Sequence, residues 1–261
     1  MKEDYKNWVP KGMILGLFGG AVSCLVLLVI FGIVLSDGWL KTILLVLFIF
    51  GTVAFVFFGI WMYILHMAFS YNGKRQMSKQ IIDGTAAYIT LRKGEKCLDI
   101  GCGSGALAIA CAKKNPTAYI TGIDRWGKEY ASFSKKLCYS NAKAEGVFNV
   151  EFKEGNALKL DFPDESFDAV ISNYVYHNIP SRDRQTILLE TLRVLKKGGT
   201  FAIHDIMSKA KYGDMQAFVK KLKDMGFEKV ELIDTTDGKF MTPNEAKWLA
   251  LSGSALLVGK K

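Results

Sequence analysis

Two kinds of hydrophobic pattern divide the chain. From residue 2 to about 69 apolar residues run almost unbroken, and from residue 71 onward short apolar runs alternate with polar ones in the manner of a globular domain. Residues 13–35 and 42–66 contain no Asp, Glu, Lys or Arg. Each is long enough to cross a hydrocarbon core, which takes about 20 apolar residues in helix. The link at 36–41 carries Asp37 and Gly38, so the pattern predicts an antiparallel transmembrane hairpin within residues 1–70. Trp8, Trp39, Trp61 and Tyr63 fall near the expected interfaces, where aromatic rings are enriched. A signal peptide would be shorter and would not be followed at once by a second span.

Lys2, Lys6 and Lys11 precede the hairpin and Lys74, Arg75 and Lys79 follow it, whereas the link holds only Lys41. Positive charge favours the cytosolic side, so both termini and everything after residue 70 are expected there. His66 is the only Asp, Glu, Lys, Arg or His within the spans and reads as interfacial, which leaves an ion pathway without a carrier. Gly12, Gly16 and Gly20 recur at four-residue spacing, either to let the helices approach or as ordinary glycine in membrane helices.

Residues 71–261 alternate between helix and strand. Helices are predicted at 79–90, 105–114, 128–145, 182–195 and 214–225. Strands are predicted at 96–100, 118–124, 149–153, 167–173, 200–204, 228–233 and 254–258. Asn115-Pro116, Gly146, Gly198-Gly199 and Gly226 supply helix stops. Alternation of this kind predicts a doubly wound α/β domain, whose ligands bind beyond the carboxyl ends of the strands.

Charge and cysteines narrow the picture. Nearly all of the net charge of +9 falls after residue 70. A basic surface next to a bilayer gains roughly 1 kcal/mol per Lys or Arg from anionic headgroups, and a lysine-rich solvated surface is the plainer reading. No basic run interleaved with aromatics points to nucleic acid. Cys24, Cys97, Cys102, Cys111 and Cys138 form no CxxC pair. They therefore suggest neither a disulfide framework nor a zinc site, and no metal is expected.

The chemistry gathers at the predicted strand ends. Asp99-Ile100-Gly101-Cys102-Gly103-Ser104-Gly105 follows the first strand. Alternating glycines allow a sharp turn and close backbone approach to a ligand, a feature shared with nicotinamide-binding folds. Asp99 separates the two, because a carboxylate there repels a pyrophosphate and suits an ammonium and a sulfonium. Gly122-Ile123-Asp124 ends the next strand with an acid placed to accept ribose hydroxyls.

Residues 97–113 with Asp124, the run 161–173 and the run 192–199 together resemble, in order and spacing, the motifs of class I methyltransferases dependent on S-adenosylmethionine (SAM). The resemblance covers most of 76–261. It implies a Rossmann-like seven-stranded sheet with its last strand antiparallel, SAM as cofactor, and the small-molecule branch of the class. Carried over, it assigns the methionine part of SAM to Asp99 and the turn Gly101, Cys102, Gly103 and Gly105. It assigns the ribose to Asp124 with Arg125 beside it, and the adenine to Asn156-Ala157. The family often has Asp where this chain has Asn156, so that contact departs from the pattern. Asn173 would border the methyl group. Trp126 either packs on adenine or simply enters the next helix.

A general base is needed only for an acceptor that must lose a proton. His177, past the fourth strand, and His204, at the end of the fifth with Asp205 beside it, are the candidates; either is equally readable as a hydrogen-bonded structural histidine. Tyr174 and Tyr176 flank the same mouth. Residues 235–253, with Phe240, Met241, Trp248 and Leu249, either cover the acceptor or touch the membrane, or form a plain surface helix. The expected partners are the bilayer and a small-molecule or lipid-like acceptor. A nicotinamide-dependent oxidoreductase and a non-catalytic SAM-binding assembly protein are the competing readings.

Overall fold

The computed structural model describes residues 2–127, 132–181 and 183–261. Two compact units emerge: residues 7–78, and residues 79–261 together with the first six.

The first unit contains α1 (Lys11–Val34) and α2 (Trp39–Phe69). Their mean hydropathies reach 2.7 and 2.9, and only 6 % of the most apolar stretch of each is buried. A core helix of a soluble domain would bury far more, so these helices have the length and composition to cross a membrane with side chains facing outward. They pack on each other at glycines, though not mainly the predicted ones. A Cβ on Gly20 would lie 3.0 Å from the Phe55 ring, one on Gly59 3.0 Å from Phe18, and one on Gly51 3.2 Å from the Cys24 sulfur; Gly12 and Gly16 face open space. The reason is rotational: Gly20, Gly51 and Gly59 lie on the facing stripes, where Gly20 and Gly59 each admit a phenylalanine ring and Gly51 a cysteine from the other helix. At the end of α2, His66 Nδ1 lies 2.8 Å from the Val9 carbonyl and Asn7 Nδ2 donates to the His66 carbonyl, so His66 is held structurally.

The second unit is a seven-stranded sheet in the order β3-β2-β1-β4-β5-β7-β6. The strands are β1 (Lys96–Ile100), β2 (Tyr119–Asp124), β3 (Val150–Glu154), β4 (Phe167–Asn173), β5 (Leu195–Ile206), β6 (Glu228–Asp234) and β7 (Ser254–Lys260). Pairing is parallel from β3 through β5, and β7 is antiparallel to both neighbours, as expected. The helices are α3 (Met77–Ala86), α4 (Ala106–Lys114), α5 (Lys135–Ala144), α6 (Arg184–Arg193), α7 (Lys209–Tyr212), α8 (Met215–Asp224) and α9 (Pro243–Trp248). Central strands are buried on both faces, with Leu98, Ile100, Val170, Phe201 and Ile203 in one continuous core, as a doubly wound sheet requires.

Local chemistry explains where the predicted boundaries move. The helix predicted over 128–145 begins instead at Lys135, where the Ser134 hydroxyl accepts the Leu137 N–H; residues 128–131 lie outside the described residues. Asp183 caps α6 by accepting from Gln185 and Thr186, so that helix starts at Arg184, and Arg182 is not described. β5 begins earlier than predicted, since the Gly198 turn (φ +79°) falls within it. Between β6 and β7, a capping box of Thr242 and Glu245 starts α9. Phe240, Met241 and Leu249 there are buried while Trp248 is 66 % exposed, so most of this connection packs on its own domain.

The helix packing yields a test. Gly59→Leu should destabilise the helical pair, lowering its thermal midpoint in detergent, because the added side chain meets Phe18; Gly16→Leu should leave the midpoint within error. Equal effects would show that the pair does not pack through Gly59.

Candidate active site at the strand ends

The strand order reverses at β1, which pairs with β2 on one side and β4 on the other. The carboxyl ends of β1, β2, β4 and β5 therefore converge where an open α/β sheet binds ligands. Register aligns Asp99 with Gly122 and with Ile171, and Asn173 with His204.

The turn after β1 is built from backbone bonds. Gly101 and Cys102 both donate to the Ile123 carbonyl, at 2.8 and 2.9 Å, and Gly105 donates to the Cys102 carbonyl at 2.7 Å. Gly101, Gly103 and Gly105 all have positive φ, at +74°, +56° and +84°, which side chains rarely tolerate. Space is limiting too: a Cβ on Gly101 would sit 2.4 Å from Val175. The cofactor residues inferred for the turn thus lie together. Cys102 is buried, and the Cys138 thiol of α5 donates to the Gly103 carbonyl at 3.2 Å.

Asp124 spans the turn and the end of β2. Its Oδ2 accepts from Gly103 N–H at 2.9 Å and its Oδ1 from Trp126 N–H at 2.8 Å. The Trp126 indole donates to the Gly103 carbonyl at 3.0 Å, so its ring lies against the turn. Arg125 is exposed. Gly155 N–H bonds the Asp124 carbonyl at 3.0 Å, which brings the β3 end beside this site. There Asn156 is exposed, its side-chain oxygen accepting from Leu158 at 3.0 Å, and Ala157 is half-buried.

Asp99 is 1 % exposed, and its Oδ2 has no hydrogen-bond partner among the described residues. Burial pushes its carboxyl up to about 8, with the charge of Asp124 adding to the effect. A buried polar oxygen without a partner is costly, and a cationic donor on a ligand would both pair it and draw the carboxyl back to its charged form.

The two histidines separate clearly. His204 is completely buried, with Nδ1 at 2.8 Å from Asn173 Oδ1 and Nε2 at 2.9 Å from Thr235 Oγ1. Burial lowers its pKa to about 3. A neutral imidazole with both nitrogens engaged has no site for an acceptor's proton, so His204 positions Asn173 and the expectation of a base there is not supported by its surroundings. His177 lies in a 3₁₀ turn (Tyr176–Asn178) after β4, and its side chain is 15 % exposed. Its Nδ1 is 2.5 Å from Asp205 Oδ1. Asp205 is fully buried, and also accepts N–H bonds from Tyr176, His177 and Ile206. Burial alone would raise the Asp205 carboxyl, but the bond and charge of His177 with the N–H of Ile206 hold it below the usual range. A carboxylate at Nδ1 keeps the proton on that nitrogen and leaves Nε2 as the acceptor, the geometry of a general base.

Of three further contributors, Arg184 was not singled out in the sequence, and Asp205 and Tyr174 were noted there without these bonds. Asp205 was visible only as the neighbour of His204, and strand alternation turns the two to opposite faces. The Arg184 guanidinium donates to the carbonyls of Tyr176, Ile179, Ser181, His177 and Lys211, fixing the turn that carries His177. Tyr174, at φ +54°, sets its ring 4.7 Å from His204 and 5.9 Å from His177, and its hydroxyl 2.8 Å from Ser254 Oγ. No local pattern marks any of these bonds.

The Asp99 environment has a measurable consequence. A carboxyl near 8 when folded and near 3.9 when unfolded keeps more protons in the folded state between those values. Stability of the unliganded protein should therefore fall as pH rises from about 4 to about 8. Asp99→Asn should remove that component, so the difference in thermal midpoint between variant and wild type should grow in the variant's favour up to pH 8. A difference that does not change with pH would mean that Asp99 is ionised when folded.

Comparison with known proteins agrees with this geometry. Residues 91–249 match the family described as "Methyltransferase domain". The chain is 30 % identical over 151 residues to 27-O-demethylrifamycin SV methyltransferase of Amycolatopsis mediterranei (strain S699), covering 58 % of this chain and 53 % of that one. It is 37 % identical over 112 residues to demethylmenaquinone methyltransferase of Geobacillus stearothermophilus, covering 42 % and 45 %. The chain spans about half the length of these curated relatives. Among solved structures, the [4+2]-cyclase SpnF superposes with a TM-score of 0.55 at 21 % identity, covering 73 % of this chain and 84 % of that one. A geranyl diphosphate methyltransferase in complex with GPP and sinefungin gives 0.53 at 12 % identity, covering 72 % and 81 %. Those two likenesses concern the fold alone. With the domain match spanning most of the chain beyond its apolar helices and the sheet order and glycine turn in place, the chain belongs to the class I SAM-dependent methyltransferases.

Proposed function

We propose that this chain is a methyltransferase held at the membrane by the α1–α2 hairpin, with both termini and the catalytic domain on the cytosolic side, and that it methylates a small, lipid-like acceptor. The observation that carries the cofactor assignment is the buried, unpartnered Asp99 oxygen beside a left-handed glycine turn. That pairing suits a ligand with an ammonium donor and suits a pyrophosphate badly, which disfavours the nicotinamide alternative. The residues present fit SAM: Asp99 for its ammonium, the Gly101–Gly105 turn for its methionine part, Asp124 for its ribose, and Asn156-Ala157 with Trp126 near its adenine. When bound, SAM supplies a methyl group on a good leaving group.

The rest is positioning and proton handling by the chain. Asn173, oriented by His204, and Tyr174 border the space between the turn and β4. His177 Nε2 takes the proton of a hydroxyl-bearing acceptor, while Asp205 holds the ring and stabilises the imidazolium. The curated relatives are named for demethylmenaquinone and 27-O-demethylrifamycin SV; both names denote small-molecule acceptors. Together with the two apolar helices they favour an acceptor that partitions into the bilayer over a soluble protein or nucleic acid.

Calorimetry on the full chain in detergent tests the cofactor. Micromolar SAM binding that Asp99→Ala and Asp124→Ala each weaken, with no heat from NADH, is expected; a folded chain that binds no SAM overturns the reading. Labelled SAM with membrane lipid extracts then tests the acceptor. There His177→Ala should lower kcat by about 10²–10⁴-fold while the Kd for SAM stays within twofold. An unchanged kcat would remove the base, and label confined to a soluble protein fraction would remove the lipid-like acceptor.

A further inference from the structure

The first residues of the chain belong structurally with the methyltransferase domain, and the backbone of Asp4 is held there by one side chain. Asn141 of α5 is 1 % exposed. Its Oδ1 accepts the Asp4 N–H at 2.7 Å. Its Nδ2 donates to the Asp4 carbonyl at 3.1 Å and to the Ser104 carbonyl at 3.0 Å. Both amide protons and the amide oxygen are thereby used. Tyr5, buried beside it, donates its hydroxyl to Glu145 at 3.2 Å, and Glu145 also pairs with Lys113 of α4. A strap of residues 2–6 is thus fastened to α5 and its C-terminal cap, which Lys113 ties in turn to α4.

Ser104 lies between Gly103 and Gly105. Its carbonyl shares one rigid peptide plane with the Gly105 N–H, and the two point in opposite directions. Fixing the carbonyl from one side fixes the N–H on the other, which closes the turn onto Cys102. Gly105 at φ +84° has wide conformational freedom, so this peptide needs an external hold.

We propose that residues 2–6 act through Asn141 as a clasp that sets the shape of the glycine turn and hence the affinity for SAM, a proposal that rests on the SAM-binding reading above. Asn141 is a positioning residue, and the strap acts only by way of it. Without the strap, the amide loses two of its three bonds and is free to release Ser104. Residues 7–10 alone link the strap to α1 along the chain, so cofactor affinity depends on a segment that a soluble methyltransferase domain cut after the hairpin would lack.

The test is calorimetry with SAM on full chains in nanodiscs: wild type, a chain lacking residues 2–5, Asn141→Asp, and the two combined. Aspartate keeps the acceptor and removes both donors. Thermal unfolding identifies any variant that fails to fold, and the strap deletion leaves every residue of the sheet in place. Each single change should weaken SAM binding about tenfold, and the combination should be no weaker than Asn141→Asp alone, because the strap acts through that residue. A strapless chain that binds SAM like wild type overturns the clasp, as do losses that multiply in the combined variant, which a general loss of stability would produce. Absence of binding by the wild type itself would instead overturn the cofactor reading, and the clasp with it.

Discussion

The carbonyl of Ile123 accepts two backbone N–H groups, from Gly101 and Cys102, and the site depends on that pair of hydrogen bonds. It folds the chain leaving β1 over the end of β2. Asp124, the next residue after Ile123, is thereby placed to hold Gly103. From there the constraints propagate: Gly101 must lack a side chain because Val175 fills the space, and Gly105 must be left-handed to start α4. Few polar interactions in a protein are worth more than about 1 kcal/mol net, yet here a handful shared among adjacent residues specify the shape of a ligand cradle.

Much of this was legible from residue types. The order of strands and helices, the glycine turn, Asp99 and Asp124 depend on local spacing, which a sequence displays directly. The predicted helix at 105–114 and strands at 96–100 and 167–173 agree with the structure to within a residue or so. The α5 start was misjudged because its cap, Ser134, lies inside a stretch whose helical periodicity runs on through it. The glycine spacing on α1 misled in a similar way. Four-residue spacing says that Gly12, Gly16 and Gly20 share a face, but not which part of that face meets α2.

The histidines show the other limit. His177 stands just past a strand and His204 near the end of one, and sequence offers both as candidate bases with only a slight preference for His177. Only packing distinguishes them: one ring is sealed between Asn173 and Thr235, while the other is partly exposed and oriented by a buried carboxylate. Burial and long-range partners determine whether an imidazole can change its charge, and neither is encoded within a few residues of it. The fork of Arg184, which ties together carbonyls from two segments, is invisible for the same reason.

The contact between Gly101 and Val175 has a consequence for how such a sequence drifts. Position 101 belongs to the glycine turn after β1 and position 175 to the turn after β4, yet they share a single volume. A side chain at 101 is admissible only after position 175 has been pared down, and at 101 the left-handed backbone also resists. The two halves of the site therefore cannot diversify independently. Any side chain at 101 requires a matching change at 175, and the two positions should change together or stay fixed as a pair.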